Sequence, residues 1–355
     1  MTKRILVVGA AKRGKDAVSG IMESLVAYAP ESTGIYFFSF RKEEEKVPDS
    51  FDWSVADLHT LLSPITWWFQ GKKRLFRVFK WDDCLWASSY AYYKLNRLAK
   101  NIRFDAVIGV AGLFYYTQAA YLFACKHNLP LKLVYFDPFT NNITTRNLAR
   151  RLAIEKQWLG YAKQVYYNAE NILPEEGILK KKAIPFYIPI SLKSLQNWCR
   201  NNSLVYGGNF YPQIRQPNGL YELAQSLQDT DWKIECYSNL RNHPVMNNVK
   251  FAPLLQRSAF EQRCNQAGAL IYIGNCGGNC RSSKYLECMG YRKPIVGINV
   301  SKDDEVRKYK YYWDATDSEW IERISDIPDE ELRSHNPFVD FPQRDPKKLA
   351  RVLFS

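Results

Sequence analysis

The sequence predicts an α/β protein of two Rossmann-like, doubly wound domains facing a cleft. Three observations carry that expectation. The chain has 355 residues, too many for one ordinary domain and enough for two. Short apolar strands alternate with helices in two separate blocks. Each block opens on a strand that runs into a glycine-bearing loop.

The first block opens with a strand from Arg4 to Val8, a loop from Gly9 to Gly14 and a helix to about Tyr28. A second strand follows at 34–40. Phe104 to Val110 is a continuous apolar run of the kind buried on both faces in a parallel sheet. A helix at 113–127 and a strand at 131–136 continue the alternation. The uncharged stretch from Ala106 to Cys125 is long enough to span a bilayer. It contains Gly109, Gly112, Thr117 and Gln118, and strand, loop and helix explain it better.

The second block begins with a strand at 203–206 and a tight turn at Gly207, Gly208 and Asn209. A helix at 219–227, strands at 232–237 and 249–251, a helix at 258–266 and a strand at 269–273 follow. A short helix at 285–289 and a strand at 294–298 complete it. The basic, proline-bearing stretch 175–200 reads as the linker. This gives a domain at 1–190 and another at 191–340, with a C-terminal helix in 341–355 returning to the first.

Composition narrows the class. Hydrophobic residues make up 46% and charged residues 24%, with eight Cys spread along the chain and a net charge of +13. The pattern is globular, and the scattered thiols suit a reducing compartment. The positive balance favours an anionic partner such as a nucleotide, a phospholipid surface or nucleic acid. No nucleic-acid recognition motif accompanies it, so a specific nucleic-acid partner is not expected. Between Trp53 and Lys100, aromatics and cations cluster: Trp67, Trp68, Phe69, Phe76, Phe79, Trp81 and Trp86 with Lys72, Lys73, Arg74, Arg77 and Lys80. Core-facing helices with solvated basic faces would explain this; so would a patch at a membrane interface, giving peripheral contact through Trp67 to Trp86.

The strongest motif is Gly274-Asn-Cys-Gly-Gly-Asn-Cys-Arg-Ser-Ser-Lys-Tyr-Leu-Glu287, closed by Gly290 and Lys293-Pro294-Ile295-Val296. A strand ends in a glycine-rich loop holding Gly277 and Gly278, and Ser282 or Ser283 caps a helix. Such a loop presents free backbone N–H groups to an anion. Glu287, about one turn inside, can accept hydrogen bonds from vicinal hydroxyls, as the acidic residue of dinucleotide folds does.

On these residues the chain resembles GT-B glycosyltransferases, and within them the retaining bacterial enzymes of family four that build polysaccharides and glycolipids. Ile154-Glu155 with Ala162 to Ala169, and Leu204 to Leu223 with Gly207, Gly208, Arg215 and Gly219, are similar to two further stretches of that family. The scattered thiols predict a soluble, cytoplasmic protein, at the inner face of the membrane if the aromatic patch docks there, and the resemblance implies a glycosyltransferase. It would move a sugar from a nucleoside-diphosphate donor to a glycan, glycolipid or glycoprotein acceptor in surface polysaccharide or glycoconjugate assembly. It implies retention of configuration, no metal and no cofactor beyond the nucleotide sugar as co-substrate. The donor would meet Gly207, Gly208, Asn209, Gly277, Gly278, Ser283 and Glu287. Arg215 and Lys284 would neutralise the leaving diphosphate, and Asp137 would take the place of the family's N-domain histidine. The acceptor would enter beside Gly9, Ala10 and Arg13. One departure stands out: the family carries an acidic residue eight positions before the ribose-binding one, and here that position is Asn279.

Two alternatives accompany this reading. Asn279 in place of an acid suits a non-catalytic glycosyltransferase-like partner subunit. Gly9-Ala-Ala-Lys-Arg-Gly14-Lys15-Asp16 nearly matches a phosphate-binding loop, which would make an ATP-dependent enzyme, although Asp16 stands where Mg²⁺ binding needs a hydroxyl. The cysteines lack paired zinc knuckles, and no metal site is expected.

Overall fold

A computed structural model describes residues 3–10, 17–41, 52–56, 83–111, 114–136, 148–169, 182–211, 214–275 and 284–355. The chain divides into two compact units. One is Met1–Tyr187 with Pro346–Ser355, and the other is Ile188–Asp345.

The first unit is built on strands β1 (Lys3–Val8), β2 (Thr33–Arg41), β3 (Asp52–Ala56), β4 (Ala106–Ala111), β5 (Leu131–Tyr135), β6 (Gln164–Asn168) and β7 (Ala183–Phe186). They form one sheet in the order β3-β2-β1-β4-β5-β6-β7, every pair parallel. Helices α1 (Ala17–Val26), α2 (Asp83–Leu98), α3 (Phe114–His127) and α4 (Leu148–Tyr161) belong to the same unit. All six residues of β4 are buried, which is what a strand covered by helices on both faces requires. Gly109 lets α3 approach: a Cβ there would stand 3.1 Å from Leu133 and 3.3 Å from Ala120. Within the stretch 106–125, residues 106–111 are therefore strand and 114–125 helix, and no described helix is long and apolar enough to cross a membrane.

The stretch read as a linker contributes β7, whose register pairs Tyr167 with Pro185. A strand containing proline cannot donate along its whole length and is confined to an edge. β7 is an edge strand. The pattern at β3 was equally weak, five residues without a clean alternation. A last helix, here numbered α10 (Pro346–Phe354), buries Leu349, Ala350, Leu353 and Phe354 and packs against α1. The amine of Lys132 donates to the carbonyls of Leu353 at 2.9 Å and Ser355 at 2.8 Å, filling acceptors that a helix end leaves open.

The second unit repeats the plan. Strands β8 (Ser203–Gly207), β9 (Lys233–Tyr237), β10 (Val249–Ala252), β11 (Ala269–Ile273), β12 (Ile295–Ile298) and β13 (Tyr312–Asp314) form a sheet in the order β10-β9-β8-β11-β12-β13, again parallel throughout. Helices α5 (Asn218–Ser226), α6 (Arg257–Gln266), α7 (Lys284–Gly290), α8 (Trp320–Ser325) and α9 (Asp329–Ser334) accompany it. Leu204, Ile234, Ile271, Val296 and Trp320 share one core, in which Trp232 meets Trp320 edge to face at 5.4 Å. In each sheet the chain reverses its winding beside the opening strand, between β1 and β4 and between β8 and β11. Such switch points, at the carboxyl ends of the strands, are where open α/β sheets hold ligands.

Candidate functional site

Both strands at the switch point of the second unit run into glycine. β8 ends at Gly207 and continues to Gly208; β11 is followed by Gly274 and Asn275. Absence of side chains here has a packing reason at each position. A Cβ on Gly207 would lie 2.2 Å from the Phe260 ring, and one on Gly208 would lie 2.8 Å from Cε of Lys284. The space above the turn is thus taken by Lys284, whose amine donates to the Gly207 carbonyl at 2.5 Å.

The loop after β8 is tied at two points. Asn239, just beyond β9, accepts from the Phe210 amide at 2.8 Å and donates to its carbonyl at 3.2 Å. Tyr211 and Arg215 close a small antiparallel bridge. This turns the Arg215 side chain inward, where it is 6% exposed, and it donates to Oδ1 of Asn275 at 2.7 Å. Among the described residues Arg215 has no carboxylate partner, and its Nε meets no acceptor. Among the described residues this guanidinium meets a neutral amide, with the Tyr206 phenol beside it, and such a buried cation is costly unless an anion completes it. Its charge reaches its surroundings: burial raises the Tyr206 phenol to about 12, although Arg215 pulls against that rise.

Glu287 lies one turn into α7. Together with Gly207, Phe260, Cys264, Lys284 and Cys288 it lines a small pocket. Burial, with the Glu287 carboxylate beside it, raises the Cys288 thiol to about 12. Burial and neighbouring acidic groups, Cys288 first and Glu287 after it, push Cys264 well up. Both thiols stay protonated, and Glu287 is the charged acceptor among these six residues.

The structure therefore gathers Gly207, Gly208, Arg215, Lys284 and Glu287 around one switch point. Asn209 joins the same turn, donating to the Tyr211 hydroxyl at 3.3 Å. Gly277, Gly278, Ser283 and Asn279 lie outside the described residues. So do Asp137, Arg13 and the phosphate-loop stretch 11–16. Trp67, Trp68 and Trp81 fall in the segment 57–82 that is likewise outside them, and the side chain of Trp86 is not described.

Gly9 and Ala10 occupy the corresponding place in the first unit. Gly9 has φ of 101°, a conformation that favours glycine, and a Cβ there would stand 2.9 Å from the Val110 carbonyl. Thr117, in the first turn of α3, donates to that carbonyl at 3.3 Å. Gly9 thus packs beside the end of β4 at this unit's switch point.

Sequence reasoning overlooked Asn275 and Asn239, the two amides that fix the loop. Asn275 directly follows Gly274 at a strand end, which was the available signal; Asn239 had none, because its role depends on where Phe210 arrives.

Charge divides unevenly between the units. Ile188–Asp345 carries 19 Lys and Arg against 19 Asp and Glu, so the excess of +13 falls entirely on the other unit, with 30 against 17.

No protein-family model and no curated protein matches the sequence. Solved structures match over nearly its whole length. An alpha-glucosyltransferase in complex with UDP and a 13-mer DNA containing a HMU base is 12% identical, with a TM-score of 0.52, covering 100% of this chain and 95% of that one. An alpha-glucosyltransferase in complex with UDP gives 11% identity and 0.51, covering 98% and 95%. A third, with UDP-glucose and DNA containing an abasic site, gives 11% and 0.50, covering 99% and 94%. The shared fold is GT-B, two Rossmann-like domains.

Proposed function

We propose that the protein is a glycosyltransferase whose second unit holds a nucleoside-diphosphate sugar. The observation that carries this reading is Arg215, a buried guanidinium beside a switch point with a neutral amide as its described side-chain partner. A diphosphate supplies the anion such a group lacks, and a guanidinium can grip two of its oxygens at once. Lys284 adds a second cation over the same turn. As the bond from sugar to phosphate breaks, negative charge grows on the diphosphate, and these two cations stabilise it without a metal ion. The alpha-glucosyltransferases that share the fold were solved with UDP or UDP-glucose, which agrees with such a donor.

Glu287 would accept the ribose hydroxyls, with Gly207, Gly208, Asn209, Gly277, Gly278 and Ser283 around the rest of the nucleotide. The acceptor hydroxyl would arrive beside Gly9, Ala10 and Arg13, with Asp137 near the transferred sugar. In the retaining course that the family resemblance implies, the departing diphosphate itself takes the acceptor's proton. The unit that carries all thirteen excess charges suits an anionic acceptor, such as a lipid diphosphate in polysaccharide or glycoconjugate assembly. It also suits the cytoplasmic face of an anionic membrane, met through Trp67 to Trp86.

A thermal-shift series with nucleoside diphosphates and nucleotide sugars tests the donor site. Stabilisation by one nucleoside diphosphate without Mg²⁺, lost in Glu287→Ala, is expected, because a ligand stabilises in proportion to its binding free energy. A response to ATP with Mg²⁺ alone, abolished by Lys15→Ala, would instead favour the phosphate-binding loop. Asn279 favours one second reading, a non-catalytic partner subunit. Donor binding without sugar transfer or donor hydrolysis in any acceptor mixture would select it.

A further inference from the structure

α7 carries Lys284 and Glu287 but has only seven residues. A helix that short makes too few internal hydrogen bonds to hold itself, so its place is set by what it packs against. Lys284 and Glu287, three apart, share one flank. The intervening Tyr285 points elsewhere, into a buried polar cluster.

In that cluster the Tyr285 hydroxyl donates to Glu305 at 3.0 Å and accepts from Arg344 at 2.6 Å. Arg344, fully buried, also pairs with the Glu305 carboxylate and donates to the Ile188 carbonyl at 2.9 Å. Gln343 donates to the other Glu305 oxygen at 2.6 Å. The Ile190 amide donates to the Arg344 carbonyl at 3.1 Å. The far end of α7 is held by the same segment: Lys193 donates its amide to the Gly290 carbonyl at 2.9 Å, and a Cβ on Gly290 would come within 2.2 Å of the Ser191 carbonyl. Burial works to raise the Glu305 carboxyl, but the hydrogen bonds and charge of Arg344, with Tyr285 and Gln343, outweigh it and hold it low. The cluster thus stays ionised and charge-assisted.

We propose that Arg344, with Glu305, is a positioning group for the donor site, acting through Tyr285 to set where α7 presents Lys284 and Glu287. This rests on the donor-site reading above. Arg344 and Ile188 stand at the two ends of the second unit's chain, so the residues by which the chain enters and leaves that unit are tied to the helix that grips the nucleotide. Nucleotide affinity then depends on a residue outside the set assigned to the nucleotide.

The test uses the full chain and the tightest binder among ADP, GDP, UDP, CDP and dTDP, measured by calorimetry. Tyr285→Phe keeps the ring and its burial and removes only the hydroxyl; it is expected to weaken binding roughly 5- to 10-fold, the scale of one buried hydrogen bond. Arg344→Lys keeps the charge and loses the fork, and falls between wild type and Arg344→Met. In a Glu287→Ala background the Tyr285→Phe loss shrinks, because the helix then has less to position. Amide exchange across 284–290 quickens in Tyr285→Phe while β8 and β11 keep their protection. Unchanged affinity in Tyr285→Phe, or an undiminished loss in the Glu287→Ala background, overturns the proposal alone. Failure of wild type to bind any of the five overturns the donor-site reading and this proposal with it.

Discussion

Oδ1 of Asn275 accepts a hydrogen bond from the buried guanidinium of Arg215 at 2.7 Å, joining the loop after β8 to the end of β11. The pair spans the switch point, and among the described residues the cation there has a neutral amide and no carboxylate for a partner. Folding gains little from such an arrangement, since a buried charge without a counter-charge is a cost. Ligand binding gains from it, because the receptor is already desolvated and oriented.

Arg215→Met should separate these two effects. The unliganded variant is expected to melt at or above the wild-type temperature, while affinity for the nucleoside diphosphate falls by at least about tenfold, the value of a charged hydrogen bond. Melting curves with and without ligand measure both. A variant that loses stability and keeps affinity would remove Arg215 from the site.

Gly208→Ala places a methyl where Lys284 now lies, 2.8 Å from its Cε. Because the obstacle is a flexible side chain, the fold should lose no more than about 1 kcal/mol, below the usual 1–3 kcal/mol for overpacking a rigid core. Lys284 would be turned away from the Gly207 carbonyl. Transfer should therefore slow mainly in kcat, and Lys284→Ala should add little further loss in the Gly208→Ala background. Steady-state kinetics of the two single variants and the double variant decide it.

Lys293 offers a test through pH. Its amine lies 3.5 Å from the centre of the Trp198 ring, donates to the Cys199 carbonyl at 2.5 Å, and is lowered by burial to about 7. The folded state then disfavours the charged form. Below about pH 7 both states hold the proton and the penalty is complete; from about 7 upward the folded state sheds the proton before the unfolded one, so this group's contribution to stability rises with pH. Urea unfolding at pH 7 and pH 9 should show a larger gain in wild type than in Lys293→Met, with a limiting slope of about 1.4 kcal/mol per pH unit. Equal gains would show that Lys293 titrates normally.

The uneven charge of the two units predicts where anionic surfaces act. Wild type should sediment with vesicles containing phosphatidylglycerol at low salt and not with neutral vesicles. Replacing Lys72, Lys73, Arg74 and Arg77 by Glu should abolish this and leave nucleotide binding intact, each cation being worth about 1 kcal/mol near such a surface. Indifference of wild type to anionic vesicles, or tighter binding to duplex DNA with a steep salt dependence, would rule out the membrane assignment.

Local pattern and tertiary arrangement contributed differently to what is known here. Continuous apolar runs such as 106–111 and 269–273 announce buried parallel strands, and glycines at strand ends announce switch-point turns; both are properties of a few neighbouring residues, so the doubly wound fold was legible from sequence. Three of the four edge strands escaped that reading, because β3, β7 and β13 have one neighbour each and little apolar pattern to show, whereas the edge strand β10 was legible at 249–251. Glu287 and Lys284 stood out through a motif, and Gly207, Gly208 and Arg215 through their place after an opening strand. Distances between segments were not written anywhere locally. That Asn275 meets Arg215 sixty residues away, that Phe260 fills the space Gly207 leaves, and that Arg344 reaches Tyr285 fifty-nine residues back follow only when the β8 and β11 ends are brought side by side and the chain returns past α7. Burial then changes the chemistry of each group, and it is tertiary packing that turns an ordinary arginine into a desolvated cation.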